Sequence, residues 1–235
     1  MSNNSFTFRQ FAVVQDRCAM KVGTDGVLLG AWASGGKRIL DIGTGTGLIA
    51  LMMAQRHADA DITAVEIDSE AAAQARDNVA ASPFAQRISV VEMPIQLFDN
   101  RAEFDAIVSN PPFFTDSLKN PDSQRATARH ADTLSYRELF AAVSSLLAPC
   151  GEFSAVIPTD CLTQFTSEAY LAGLTMSRKC QIRTTPRKQP KRCLVAFRHT
   201  ADGSGMLTEE HCLMNADGTR SEWYNTLTDE FYLNQ

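Results

Sequence analysis

The chain has 235 residues, the size of one ordinary domain, with 44% hydrophobic and 21% charged residues, the balance of a soluble protein with a real core. Its 22 basic and 27 acidic residues give a formal net charge of −5, which excludes a surface that is basic all over for nucleic acid but allows a local basic patch. No apolar run is long enough to cross a bilayer, and the first residues lack the basic start and apolar stretch of a signal peptide, so a cytosolic protein without membrane contact is expected.

Residues 1–37 precede the first expected sheet strand and carry Phe6, Phe8, Phe11 and Val13. No linker signal follows them, so they are expected to be an appendage of a single domain spanning 1–235. From Arg38 onward apolar runs alternate with longer amphipathic segments, the signature of βα units around a parallel sheet. Strands are predicted at 38–42, 61–67, 88–92, 104–109 and 153–157, and helices at 48–57, 69–81, 136–147 and 161–172. An antiparallel pair is predicted at 176–183 and 193–198, across a polar, proline-bearing loop. The last segment carries a turn signal at Ala216-Asp217-Gly218 and a short helical stretch near Trp223–Leu227.

The six cysteines include no C-x-x-C pair and read as small buried hydrophobes in a reducing compartment. The four histidines, at 57, 130, 199 and 211, lack zinc-binding spacing, so no metal site is expected.

Two constellations carry chemistry. Asp41-Ile42-Gly43-Thr44-Gly45-Thr46-Gly47 lies between a predicted strand and a predicted helix. Its glycines let the backbone turn tightly and approach a ligand. The G-x-G-x-G spacing differs from that of pyrophosphate binders, and no P-loop lysine follows, which favours an adenosyl ligand without phosphates over a dinucleotide or a structural turn. Glu66 ends the next strand, where a carboxylate can accept both ribose hydroxyls. The second constellation, Asn110-Pro111-Pro112-Phe113, ends the fourth predicted strand and therefore faces the same crevice. An exocyclic amine on a π-system is a poor nucleophile because its lone pair is delocalised. The Asn110 side-chain oxygen and the Pro111 carbonyl can each accept one of its hydrogens, which favours a pyramidal nitrogen, while Phe113 can stack on the ring.

Together these motifs resemble the class I methyltransferases that use S-adenosylmethionine (SAM) to methylate amino groups. The segment Gln15 to Gly26 (QDRCAMKVGTDG), Ala128-Arg129-His130 and the closing Phe231-Tyr232-Leu233 narrow the resemblance to the bacterial valine-tRNA adenine-N6 methyltransferases, over nearly the whole chain. Those enzymes modify the adenosine on the 3′ side of the anticodon. The resemblance implies a Rossmann-like α/β fold, a mostly parallel seven-stranded sheet with helices on both faces and an antiparallel last strand. It implies SAM as cofactor and a tRNA anticodon stem-loop as partner; the sequence leaves the oligomeric state open, with a monomer favoured. By it Gly43, Gly45 and Gly47 hold the methionine part of SAM, Asp41 supports their loop, and Glu66 holds the ribose. Asn110, Pro111, Pro112 and Phe113 serve the target base, and Lys21, Thr24 and Asp25 lie over the cofactor. Many relatives carry an acid after the third strand for the cofactor's adenine amine. Here the chain reads Val91-Glu92-Met93-Pro94, which leaves Glu92 as the cofactor candidate.

Charge adds a third feature. Between Arg178 and Arg198 lie Lys179, Arg183, Arg187, Lys188, Lys191 and Arg192 with no acid among them, in a chain that is acidic overall. Such a stretch suits phosphates through counterion release. Lys119, Arg125, Arg129 and His130 follow the N-P-P-F motif and form a second RNA-binding candidate. The expected reaction is methyl transfer to an adenine N6. Rival readings are a release-factor glutamine methyltransferase, an rRNA guanine-N2 methyltransferase, and a SAM-binding RNA chaperone without turnover.

Overall fold

The computed structural model describes residues 4–18, 20–99, 103–112, 134–199 and 205–233. Its centre is a sheet of β3 (Arg38–Ile42), β4 (Asp61–Glu66), β5 (Ile88–Glu92), β6 (Phe104–Ser109), β7 (Leu147–Pro158), β8 (Thr175–Arg183), β9 (Arg192–Arg198) and β10 (Leu207–Cys212). The strand order is β10-β8-β9-β7-β6-β3-β4-β5. Only β9 runs against its neighbours, antiparallel to both β7 and β8. Seven of these strands match the expected sheet; β10 adds an eighth, parallel to β8 at the edge. Its pattern, Leu-Thr-Glu-Glu-His-Cys, lacks the apolar alternation that marks a half-buried strand.

Before the sheet come a small antiparallel ribbon, β1 (Ser5–Thr7) and β2 (Ala12–Val14), and helix α1 (Thr24–Trp32). Helix α1 has no polar face: Gly26 through Trp32 are all buried, so it carries no amphipathic signal. It packs on α2 (Leu48–Arg56) so closely that a Cβ on Gly30 would lie 2.9 Å from the Cβ of Met52. Helix α3 (Ser69–Ala80) starts at the Asp68 cap, whose carboxylate accepts from the Ala71 N–H at 2.8 Å. Helix α4 (Tyr136–Leu146) opens with a capping box between Ser135 and Glu138; α5 (Leu162–Leu171) and α6 (Glu222–Thr228) follow. One sheet face buries Ile39, Ile62, Ala64 and Val108 under α1, α2, α3, α6 and the ribbon; the other buries Leu40, Ile42, Val65 and Ile107 under α4 and α5.

Strand β7 begins earlier than its predicted start at Phe153, and its pairing with β6 skips from Phe104↔Leu147 to Ala106↔Glu152, leaving Ala148 to Gly151 as a bulge. The predicted turn forms, with the Asn215 N–H donating to the Thr219 carbonyl at 2.8 Å. No disulfide joins the cysteines. Cys161, Cys180 and Cys193 are buried as expected, whereas Cys18 and Cys212 are half-buried and Cys150 is exposed. No helix among the described residues is long and apolar enough to cross a membrane.

Candidate active site

A cavity of about 880 Å³ opens at the carboxyl ends of β3, β4, β5 and β6, where an open α/β sheet places its ligands. Its floor is the glycine loop. Gly43, Gly45 and Gly47 have φ of +72°, +56° and +83°, a left-handed run that any side chain would strain. The Gly43 and Thr44 N–H groups donate to the Val65 carbonyl at 2.9 and 3.1 Å, tying the loop to the end of β4.

Asp41 braces this loop from below. It is fully buried, and its Oδ2 accepts from the Thr44 hydroxyl at 2.6 Å and from the Ala50 N–H at 3.1 Å; its Oδ1 has no partner. Burial pushes its carboxyl up to about 7, nearby Glu66 adds to the rise, and the bonds from Thr44 and Ala50 oppose it. Glu66 sits at the cavity wall. Its Oε2 accepts from the Gly45 N–H at 2.8 Å, and its Oε1 from the Ile67 and Asp68 N–H groups at 2.9 and 3.0 Å. Three donors on about four lone-pair sites leave the carboxylate fixed, with acceptor capacity remaining.

Asn110, Pro111 and Pro112 form the opposite wall. The strand end that carries them is held by Ser109, whose hydroxyl donates to the Ile42 carbonyl at 2.9 Å. The Asn110 amide nitrogen lies 3.6 Å from the Met20 sulfur, and its Oδ1 is buried without a hydrogen-bond partner. Asn110 thus brings to the cavity wall a residue whose acceptor oxygen is still unpaired.

The amino-terminal segment roofs the cavity with Cys18, Met20, Lys21, Thr24 and Asp25. Two amides of α3 hold that segment down. Asn78 accepts from the Val14 N–H at 2.9 Å and donates to the carbonyls of Val14 and Thr46 at 2.9 and 2.8 Å, which joins β2 to the glycine loop. Gln74 accepts from the Arg17 N–H at 3.2 Å. Within the segment, Gln15 accepts from the Val22 N–H at 2.7 Å and closes the loop that presents Met20 and Lys21. Asn78 and Gln74 were not among the sequence candidates. Their signal is two amides one helical turn apart in an otherwise alanine-rich stripe.

Residues 20–160 match the family model described as the methyltransferase small domain. A relative from Bacteroides thetaiotaomicron named tRNA1(Val) (adenine(37)-N6)-methyltransferase is 50% identical over 236 residues, 99% of each chain. The chain belongs to the tRNA1(Val) (adenine(37)-N6)-methyltransferase family. A member from Aeromonas hydrophila is 46% identical over 237 residues, 98% of each chain. Among solved structures, a predicted O-methyltransferase from Agrobacterium tumefaciens superposes with a TM-score of 0.64 at 20% identity, over 88% of this chain and 96% of that one. A glycopeptide N-methyltransferase in complex with SAM gives 0.55 at 15% identity, over 77% and 90%. These two likenesses concern the fold.

Within this family member the cavity gathers Lys21, Thr24, Asp25, Gly43, Gly45, Glu66, Asn110, Pro111 and Pro112. Asp41 and Gly47 stand behind the wall, as brace and as amino-terminal cap of α2. Glu92 does not line the cavity: it pairs with Arg76 of α3 at 3.1 Å on the outside. Past it, Met93, Pro94, Ile95 and Gln96 line the wall. Phe113, Lys119, Arg125, Arg129 and His130 lie outside the described residues.

The basic stretch divides in three. Arg178 and Arg198 turn inward onto Glu152, which is 4% exposed, at 2.7 and 3.0 Å; Arg183 pairs with Glu210 at 2.6 Å. Arg192 lines the cavity with its Nε 2.5 Å from Asp25 Oδ1, so it belongs to the site wall. Burial pushes the Asp25 carboxyl up, and Arg192 opposes that. Arg187, Lys188 and Lys191 are exposed on the β8–β9 loop. The Lys191 carbonyl accepts from the Thr159 N–H at 3.1 Å, just past the carboxyl end of β7, which sets these cations at the same end of the sheet as the cavity.

Proposed function

We infer that this chain transfers the methyl group of SAM to the exocyclic N6 of an adenine in tRNA, and that the acceptor is the adenosine on the 3′ side of the anticodon of a valine tRNA. The observation that carries the reading is the Asn110 amide oxygen, buried and without a partner, across the cavity from the glycine loop. Family membership over the full chain supports the acceptor.

The cavity suits SAM in size and in donors: a glycine floor, a fixed carboxylate at Glu66 and a cation at Lys21. When bound, SAM supplies an electrophilic methyl on its sulfonium. Gly43 and Gly45 let the backbone approach it, and Glu66 accepts from its ribose. Asn110 and the Pro111 carbonyl accept the two amine hydrogens of the target, which turns the nitrogen lone pair toward the methyl. The enzyme thus contributes mainly orientation. The methylated nitrogen is acidic and releases its proton to water, so no strong base is needed. Phe113 is proposed to stack on the base, which leaves a loop stack more cheaply than a duplex. Arg187, Lys188 and Lys191, together with Lys119, Arg125, Arg129 and His130, are proposed to grip the backbone around it. The chain is read as a single domain acting in the cytosol, with 1–37 closing over the cofactor.

The test is transfer of labelled methyl from SAM to RNA, DNA and protein pools from cells lacking the enzyme, followed by nucleoside analysis. Label in tRNA as N6-methyladenosine is expected. Label in protein would move the assignment to a glutamine acceptor.

A further inference from the structure

At the sheet edge furthest from β5, the parallel pairing of β10 with β8 sets Glu209 beside Cys180 and His211 beside Ile182. Register partners in a sheet share a face, as do residues two apart on one strand, so Cys180, Glu209 and His211 project from the same side. Their donor atoms all lie within 4.8 Å of one another. We propose that these three side chains form a site for a divalent cation of the zinc class, separate from the methyl-transfer cavity.

The ring of His211 lies flat on Trp223, with centroids 4.4 Å apart and planes 5° from parallel, so its direction is set by packing. Its Nε2 is buried and has no hydrogen-bond partner; the nearest carboxylate oxygen, Glu209 Oε1, is 3.7 Å away, beyond hydrogen-bond range. A buried ring nitrogen left so has lost its hydration with nothing in return, and a metal bond removes that cost. The mixed sulfur, nitrogen and oxygen set selects a borderline-soft ion and disfavours magnesium or calcium, which take oxygen ligands.

Cys180 is completely buried, and that burial together with Glu209 pushes its thiol up to about 12. Without a cation it therefore keeps its proton. Coordination forms the metal–sulfur bond, breaks the S–H bond and sends the proton to solvent. Thiolate and carboxylate together then cancel the divalent charge. Donors around a tetrahedral zinc ion stand about 3.5 Å apart, so donors up to 4.8 Å apart must draw in by up to about 1.3 Å. Glu209 can do so, because its side chain is 38% exposed and free to turn about its own bonds; the same opening admits the ion and leaves a fourth position to water. Bound there, the ion clips β10 to β8 and fixes the seat of α6 through Trp223.

The experiment titrates chelator-stripped full-length protein with Zn²⁺ by calorimetry, and with Co²⁺ while following thiolate-to-cobalt charge transfer and tryptophan fluorescence. One ion per chain is expected, with a charge-transfer band and a change in Trp223 emission. Glu209→Gln, at a half-exposed position that the fold tolerates, should weaken binding by at least about 100-fold, the upper end of what losing a mere supporting hydrogen bond costs. Cys180→Ser should abolish the band, and Cys193→Ser, on the opposite sheet face, should keep it. Absence of stoichiometric binding would overturn the proposal, and so would a band that survives in Cys180→Ser or an affinity unchanged in Glu209→Gln.

Discussion

Asn110 carries the most specific claim at the level of single residues, since it lines the cavity and its amide oxygen is an acceptor without a partner. Asn110→Ala should lower kcat by at least about 100-fold, the loss seen when a preorganised polar group facing the reacting centre is removed. SAM affinity should stay nearly unchanged; a parallel fall in both would show that Asn110 builds the cofactor pocket instead. Asp41 makes a second prediction, through pH. The folded chain holds its proton more tightly than the unfolded chain, so folding stability should fall as pH rises between its ordinary 3.8 and about 7. Asp41→Asn keeps an acceptor for Thr44 and Ala50 and removes the titration. Between pH 4 and 8, the wild type should lose on the order of 4 kcal/mol relative to the variant, read from urea midpoints. Parallel pH profiles would contradict the burial argument.

Among the elements, the amino-terminal segment is the part whose placement matters most, because it roofs the cavity without belonging to the sheet. Asn78 is its anchor: removing that amide leaves the Val14 N–H, the Val14 carbonyl and the Thr46 carbonyl without their partner. Asn78→Ala should cost about 1–3 kcal/mol, weaken SAM binding and raise amide exchange selectively over residues 12–25. A uniform rise across the whole chain would mean that the amide serves general stability alone. Burial also decided which elements were legible in the sequence. Strands β3, β4 and β6 were, because both of their faces are buried, which forces continuous apolar runs ending in loop residues. Helix α1 was not, because burial on all sides removes the periodicity that marks a helix. Strand β10 was hidden for the opposite reason, being an exposed edge with no apolar face.

For the whole molecule, the site was legible where one loop supplies several groups and illegible where distant segments meet. The glycine loop and the Asn110 turn each follow a strand, so position alone sent them to one end of the sheet. Arg192 reads in sequence as one more cation in a basic run, and only the return of β9 beside β7 carries it to Asp25. The inward turn of Arg178 and Arg198 likewise depends on Glu152, a buried acid in a different strand. The outward cations that remain make a collective prediction. Replacing Arg187, Lys188 and Lys191 together by Ala should reduce the slope of log Kd for tRNA against log salt by about 2, since each cation that pairs with a phosphate releases one counterion or slightly less. kcat at saturating tRNA should hold, whereas an unchanged slope would make this loop a solvated surface.

The most direct test of adenine-N6 as the acceptor offers the enzyme two valine tRNA transcripts, one natural and one with inosine in place of the adenosine on the 3′ side of the anticodon. Inosine keeps the ring and the backbone but carries oxygen where adenine carries its amine. One methyl per natural transcript is expected, recovered as N6-methyladenosine, and none on the inosine transcript. Equal labelling of both would contradict the assignment, since the acceptor would then lie elsewhere in the RNA.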